Sequence, residues 1–222
     1  MPPHAMSDLA IATYCPRKLY YTWQADDRTV PESVRERRDL AFRYDELLAA
    51  EESALAAEPI AVSPEAYRAN VERSAGTIDR FDDLVNPDAR DVLLTGRECR
   101  GIVHKVLDEP PEPSMISTGS PPRQGVWEPD SVRAVAAAKA LAWTREFPVE
   151  RAYVEYPTHG VIRSVEITTR RKATYRRAVR TTEAIDGPPP RLRGKAKCRS
   201  CEFRDRCGVR SRSLRSLLFG AR

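Results

Sequence analysis

Three of the five cysteines fall in one short stretch, KCRSCEFRDRCG at residues 197–208. Cys198 and Cys201 have the C-x2-C spacing that lets one tight turn offer two thiolates to a metal, and Cys207 closes a third corner. A second C-x2-C knuckle, which a zinc ribbon would use, is absent from the sequence. The fourth ligand is therefore Cys15, Cys99 or a histidine. Cys99 lies in a predicted strand between Glu98 and Arg100 and reads as a buried core thiol. Cys15 precedes Pro16 at the end of a predicted helix, a junction that can aim a thiolate outward. The expected set is Cys15, Cys198, Cys201 and Cys207. Four thiolates suit an iron–sulfur cluster or zinc, and spacing alone leaves both open. Either would tie the start of the chain to its end and contribute to folding.

The chain has 222 residues, enough for one sizeable domain; 41% are apolar and 31% charged. No window of about 18 apolar residues exists, so no spanning helix is expected. The N-terminus, MPPHAMSDLAIATYCPRK, lacks a charged region before a long apolar core and does not read as a signal peptide. A cytoplasmic setting is the expectation, and reduced cysteines there favour metal over disulfides. A net charge of +5 and a pI near 9 favour an anionic partner, nucleic acid before membrane.

These residues need elements to position them. Ser7 or Asp8 can cap a short helix ending at Cys15-Pro16, and the aromatics Tyr20, Tyr21 and Trp23 follow. Apolar spacing over 32–56 predicts one long amphipathic helix, and Ser63-Pro64 opens another. From residue 91 the texture changes: DVLLT and ECRGIVHKVL predict a hairpin about Gly96, and PSMIS a third strand. After a Gly- and Pro-rich loop, Asp130 is expected to cap an Ala-rich helix whose small side chains can lie close to a sheet. RAYVEYP and GVIRSVEIT predict a second hairpin turning at His159-Gly160. Thr168 opens a basic helix, stopped by Pro188–Pro190. The fold class is α/β: one domain, with a helical lobe over 1–90, a core sheet and helix over 91–167, and a basic helix with the cysteine cluster over 168–222.

Cys15 in its CPRKLYY context, the terminal C-x2-C-x5-C, the Gly101-x-Val103 step, the strands AYVEYP and GVIRSVEIT and the basic helix together resemble the CRISPR-associated, RecB-like iron–sulfur exonucleases. The resemblance covers most of the chain. It implies a restriction-endonuclease-like core sheet, an iron–sulfur-stapled C-terminal lobe, and a [4Fe–4S] cluster on the four cysteines. It also implies a magnesium or manganese site with one strand aspartate and a Glu-x-Lys on the next strand, whose oxygens hold ions that activate water. This chain departs from that pattern. His104 stands at the aspartate position, Met115 at the glutamate and Ser117 at the lysine. Val135 and Lys139 replace a helical glutamine and tyrosine, and the early histidine has no match over 32–56. A thioether is a poor magnesium ligand. Asp108, Glu109 and Glu112 form an acidic turn expected to be solvated, and Glu155 is expected to face solvent.

Arg170, Arg171, Lys172, Arg176, Arg177 and Arg180 load one helix, and Lys195 and Lys197 precede the cluster. Such residues bind phosphates in a salt-sensitive way that is largely independent of sequence. Tyr20, Tyr21 and Trp23 can stack bases or pack against the cluster lobe. The expected function is an iron–sulfur, nuclease-fold protein without the usual metal site. It would bind DNA that is single-stranded or has unpaired ends, beside CRISPR integration proteins or in DNA repair. The alternatives are an active metal-dependent single-stranded DNA exonuclease and a zinc-stapled basic scaffold.

Overall fold

The computed structural model describes residues 2–25, 29–192 and 196–208. It is an α/β protein: a mixed six-stranded sheet flanked by helices, with an N-terminal helical region. The strands are β1 (His4–Ala5), β2 (Ala89–Thr95), β3 (Cys99–Leu107), β4 (Glu112–Ile116), β5 (Arg151–Tyr156) and β6 (Val161–Glu166). Their order is β1-β3-β4-β5-β6, with β2 also paired to β3. β3 is antiparallel to β2 and β4, β4 is parallel to β5, and β5 and β6 form the second hairpin. The parallel step from β4 to β5 is bridged by a helix, as parallel neighbours require.

Both faces of the sheet are covered, so β4 and β5 are buried on both sides. One face carries α1 (Met6–Tyr14), α8 (Glu128–Arg145) and α9 (Thr169–Glu183). Met115 and Val154 point into that layer with Val103 and Val106. Ala134, Ala136, Ala137, Ala138 and Ala140 of α8 are fully buried, so the small side chains do bring the helix close to its neighbours. Gly96 belongs to the same contact: a Cβ there would lie 2.9 Å from Ala140 Cα. The short α2 (Pro16–Trp23) continues from α1 across Cys15. The other face is covered by α3 (Glu32–Asp39), α4 (Tyr44–Ala49), α5 (Glu52–Ala57), α6 (Pro64–Ala75) and α7 (Phe81–Val85). Tyr44, Leu47, Leu55, Tyr67 and Val71 from this lobe meet Leu107, Ile116, Tyr153 and Ile162 from the sheet.

The helix predicted over 32–56 is broken into three, with a 3-10 turn at Leu40–Phe42 and extended backbone at Ala50 and Glu51. The cause is on β3. Lys105, fully buried, donates from Nζ to the Ala41 carbonyl (2.6 Å), the Leu84 carbonyl (2.7 Å) and Glu155 Oε2 (2.8 Å). The Ala41 carbonyl is thereby diverted from a continuous helix. Arg43, at the break, binds Glu46 and Glu58 instead. Glu155 is completed by Ser114 Oγ, which donates to Oε1 at 2.5 Å. The expectation that Glu155 faces solvent is thus overturned, because it neutralises a buried ammonium. Glu112 is not solvated either: it lies buried on β4, accepts from Tyr153 Oη at 2.9 Å and pairs with Arg80 and Arg151.

Two helix starts were legible and two were misplaced, since α1 begins at Met6 and places Ser7 and Asp8 inside its first turn. Ser63 Oγ accepts from Ala66 N and Thr168 Oγ1 from Arg171 N, as capping residues do. Gly160 turns the second hairpin at φ 63°, where a Cβ would strike Val71. α8 begins at Glu128, two residues before Asp130, so Asp130 sits in its first turn rather than capping it.

Lys105→Met strands a buried carboxylate and should cost about 3–5 kcal/mol of stability by urea unfolding. Lys105→Met combined with Glu155→Leu should recover much of that loss. A single variant as stable as the parent protein would show that the pair does not hold the lobe to the sheet.

Candidate metal centre and nucleic-acid interface

Cys15 is the hinge between α1 and α2, in extended backbone (φ −163°, ψ 112°), with its amide donating to the Ile11 carbonyl. Pro16 forces the break by opening α2. The C-terminal segment reaches it from the far end of the sequence. A 3-10 turn at Ala196–Cys198 leads into the loop of Cys201 and Cys207. Cys15, Cys198, Cys201 and Cys207 all line one pocket of about 360 Å3, mouth included, and none is in a disulfide. The fifth, Cys99, is buried in the core with its Sγ 3.4 Å from the Ala136 carbonyl, as expected.

This junction is held by protein contacts as well. Tyr14 Oη donates to the Lys197 carbonyl (3.1 Å), and Lys197 Nζ returns a bond to the Tyr14 carbonyl (3.2 Å). Arg17 donates to the Pro189 carbonyl, and Tyr21 Oη to the Arg206 carbonyl. Lys18 pairs with Glu202 at 2.9 Å, and the Tyr21 and Phe203 rings lie 5.8 Å apart. Tyr21 is therefore packing in the lobe; Tyr20 is half-buried, and Trp23 is tied to Asp8 through its Nε1. Burial works against the Arg17 charge, but the Tyr21 hydroxyl and the Cys207 thiol outweigh it and hold its pKa above the usual value.

The pocket's donors are all thiols; no histidine or carboxylate lines it. That set suits soft metals, zinc or an iron–sulfur cluster, and excludes magnesium and calcium. Among the described residues, no three His, Cys, Asp or Glu side chains are grouped closely enough to hold a single metal ion.

His104 on β3 bonds to the Ile116 amide, between Met115 on β4 and Ser117 just beyond it. None presents a carboxylate. Met115 is buried in the core beneath α8. His104 Nδ1 accepts from the Ile116 amide at 2.9 Å, which fixes a neutral ring. Burial, then Arg133, Arg38 and Lys105, push its pKa down to about 3. Ser117 Oγ is 3.3 Å from Asp130 Oδ2, which also accepts from Tyr156 Oη at 2.9 Å. Asp130 is thus engaged within the protein. Val135 is buried, and Lys139 lies across α8 beside Glu98.

The basic helix divides. Arg177 pairs with Glu128 at 2.7 Å, Arg171 donates to the Glu166 carbonyl, and Lys197 is held by Tyr14. Arg170, Lys172, Arg176 and Arg180 are exposed and take no hydrogen-bond or ion-pair partner among the described residues. Lys172, Arg176 and Arg180 recur every four residues, so they form one stripe along α9. Lys195 and the tail residues Arg210, Arg212, Arg215 and Arg222 lie outside the described residues.

Lys105, Glu155 and the Ser117–Asp130–Tyr156 chain were not read from the sequence as partners. The available signal was a single charge inside each of two apolar strands, GIVHKVL and RAYVEYP.

His104 is neutral in the folded protein and binds a proton near its ordinary pKa when unfolded. The unfolded state therefore takes up more protons between about pH 6.5 and 3, and stability should fall as pH drops through that window. A His104→Gln variant should lose that part of the slope in unfolding measured against pH; an unchanged slope would contradict the assignment. No protein-family model matches the chain and no curated protein matches it, so the chemistry rests on these residues alone.

Proposed function

We propose that this chain is a non-cutting, cysteine-clamped nucleic-acid-binding protein on a restriction-endonuclease-like fold. The observation that carries binding is the exposed stripe Lys172, Arg176 and Arg180, whose side chains have no partner among the described residues, in a protein with net charge +5. Cations without internal partners are available to phosphates, and at four-residue spacing they follow a backbone rather than a single anion.

The loss of cutting rests on the sheet centre. A hard divalent ion needs several convergent oxygens. The positions that would supply them hold a neutral imidazole bonded to the Ile116 amide, a buried thioether, and a serine beside an engaged aspartate. The mixed sheet with a helix crossing from β4 to β5 accords with the nuclease resemblance. So does a pocket ringed by Cys15, Cys198, Cys201 and Cys207. These cysteines would hold a [4Fe–4S] cluster. Four thiols around one pocket suit either such a cluster or one zinc, and it is the resemblance that favours the cluster. When bound, such a centre would brace residue 15 against the C-terminal segment. By the resemblance, the setting is CRISPR adaptation or DNA repair, with DNA carrying unpaired ends as ligand.

The test is anisotropy of a labelled DNA oligonucleotide with protein purified without air. Affinity should fall steeply with salt, and Lys172→Glu with Arg176→Glu and Arg180→Glu should weaken it at least tenfold and flatten the salt slope. Equal binding by parent and triple variant would contradict the reading. The same preparation should contain iron and sulfide; a colourless protein with one zinc would contradict the cluster.

A further inference from the structure

A second pocket lies away from both sites. It is lined by the β2–β3 turn (Gly96, Arg97, Glu98), Cys99, Lys139 and Trp143 of α8, and Tyr175 of α9. It encloses about 840 Å3, mouth included, and is the more open of the two.

Its chemistry is unusual for an idle surface. Tyr175 is fully buried, and among the described residues its hydroxyl makes no hydrogen bond of good geometry, although the Cys99 thiol and the Glu98 carboxylate lie beside it. A hydroxyl that lines a pocket without a well-formed bond can turn to a partner that enters the pocket. Burial, then the neighbouring Cys99 thiol and Glu98 carboxylate, hold the hydroxyl protonated. It can therefore donate as well as accept. Trp143, also lining the pocket, is 61% exposed, a large apolar surface with no cover. Lys139 Nζ stands 3.5 Å from the Glu98 carboxylate and 5.5 Å from the Tyr175 ring centre. Arg97 is exposed at the turn. Lys172, the first cation of the stripe, sits one turn before Tyr175 on the same helix.

One pocket thus combines an aromatic platform, a neutral hydroxyl donor, a carboxylate acceptor and two cations. A planar heterocycle with polar edges and an attached phosphate matches all four. We propose that this pocket receives one unpaired nucleobase of a bound strand, with Trp143 as the stacking surface. Tyr175 and Glu98 would meet the base edge, and Lys139 and Arg97 the flanking phosphates. This rests on the nucleic-acid reading above and adds to it the place where an unpaired base is held. Stacking on an aromatic needs an unpaired face, which duplex DNA does not offer.

The test compares labelled single-stranded and duplex DNA of the same sequence by anisotropy. Trp143→Ala should lose about tenfold in affinity for the single strand and nothing for the duplex. Trp143→Phe should keep most of the binding. Tyr175→Phe, which retains the ring and removes only the hydroxyl, should weaken the single strand several-fold. An oligonucleotide whose central nucleotides lack bases should bind parent and Trp143→Ala alike. Single-strand binding unchanged in Trp143→Ala and Tyr175→Phe would overturn the pocket. If the α9 triple variant still loses affinity in that case, the nucleic-acid reading stands without the pocket. Absence of any DNA binding by the parent protein would overturn both.

Discussion

The buried ion pair between Lys105 and Glu155 is the constraint on which the layers depend. An ammonium cannot be removed from water without partners, and here it has three: Glu155 on β5, the Ala41 carbonyl and the Leu84 carbonyl. Those partners come from the sheet and from two separate parts of the helical lobe. Burial pulls the Lys105 pKa down, and Glu155 opposes that shift. One side chain therefore ties β3 to β5, interrupts the 32–56 region at Ala41 and links the lobe to the sheet. The pair is weak evidence for raw stability, since an apolar replacement can do as well. Its effect is positional.

That use of charge also bears on chemistry. A lysine and a carboxylate at the centre of a mixed sheet invite a catalytic interpretation, but both are fully buried and held by protein partners. Beside them His104 is held neutral and Asp130 is shared between Ser117 and Tyr156. The polar centre is closed on itself, whereas the open features lie elsewhere: the α9 stripe, the thiol-lined pocket and the Trp143 pocket. Function belongs to such sites more than to the fold.

Much of this was legible in the sequence where the signal is local. Ser63, Thr168, Gly96 and Gly160 mark caps and turns by their own chemistry, and the strands followed from alternation. The proline that ends α1 marks the junction at which Cys15 lines a pocket shared with Cys198, Cys201 and Cys207. Apart from the helix starts at Asp130 and Ser7, which were misplaced locally, the failures were long-range. The period over 32–56 is helical, but Lys105, some sixty residues away, takes the carbonyl that would continue it. Glu112 and Glu155 look solvated by residue type and are buried because Arg80, Arg151 and Lys105 meet them across the sheet. The Tyr175 hydroxyl carries no sequence signal, since only packing decides which tyrosines lack a well-formed bond.

The most direct test of the central claim is strand integrity. Single-stranded DNA labelled at one end is incubated with protein purified without air, in magnesium or manganese, and its length is read on a denaturing gel. The account predicts that the strand stays full length in either metal. Shortening that needs the metal, follows the protein through purification and stops with chelator would contradict it.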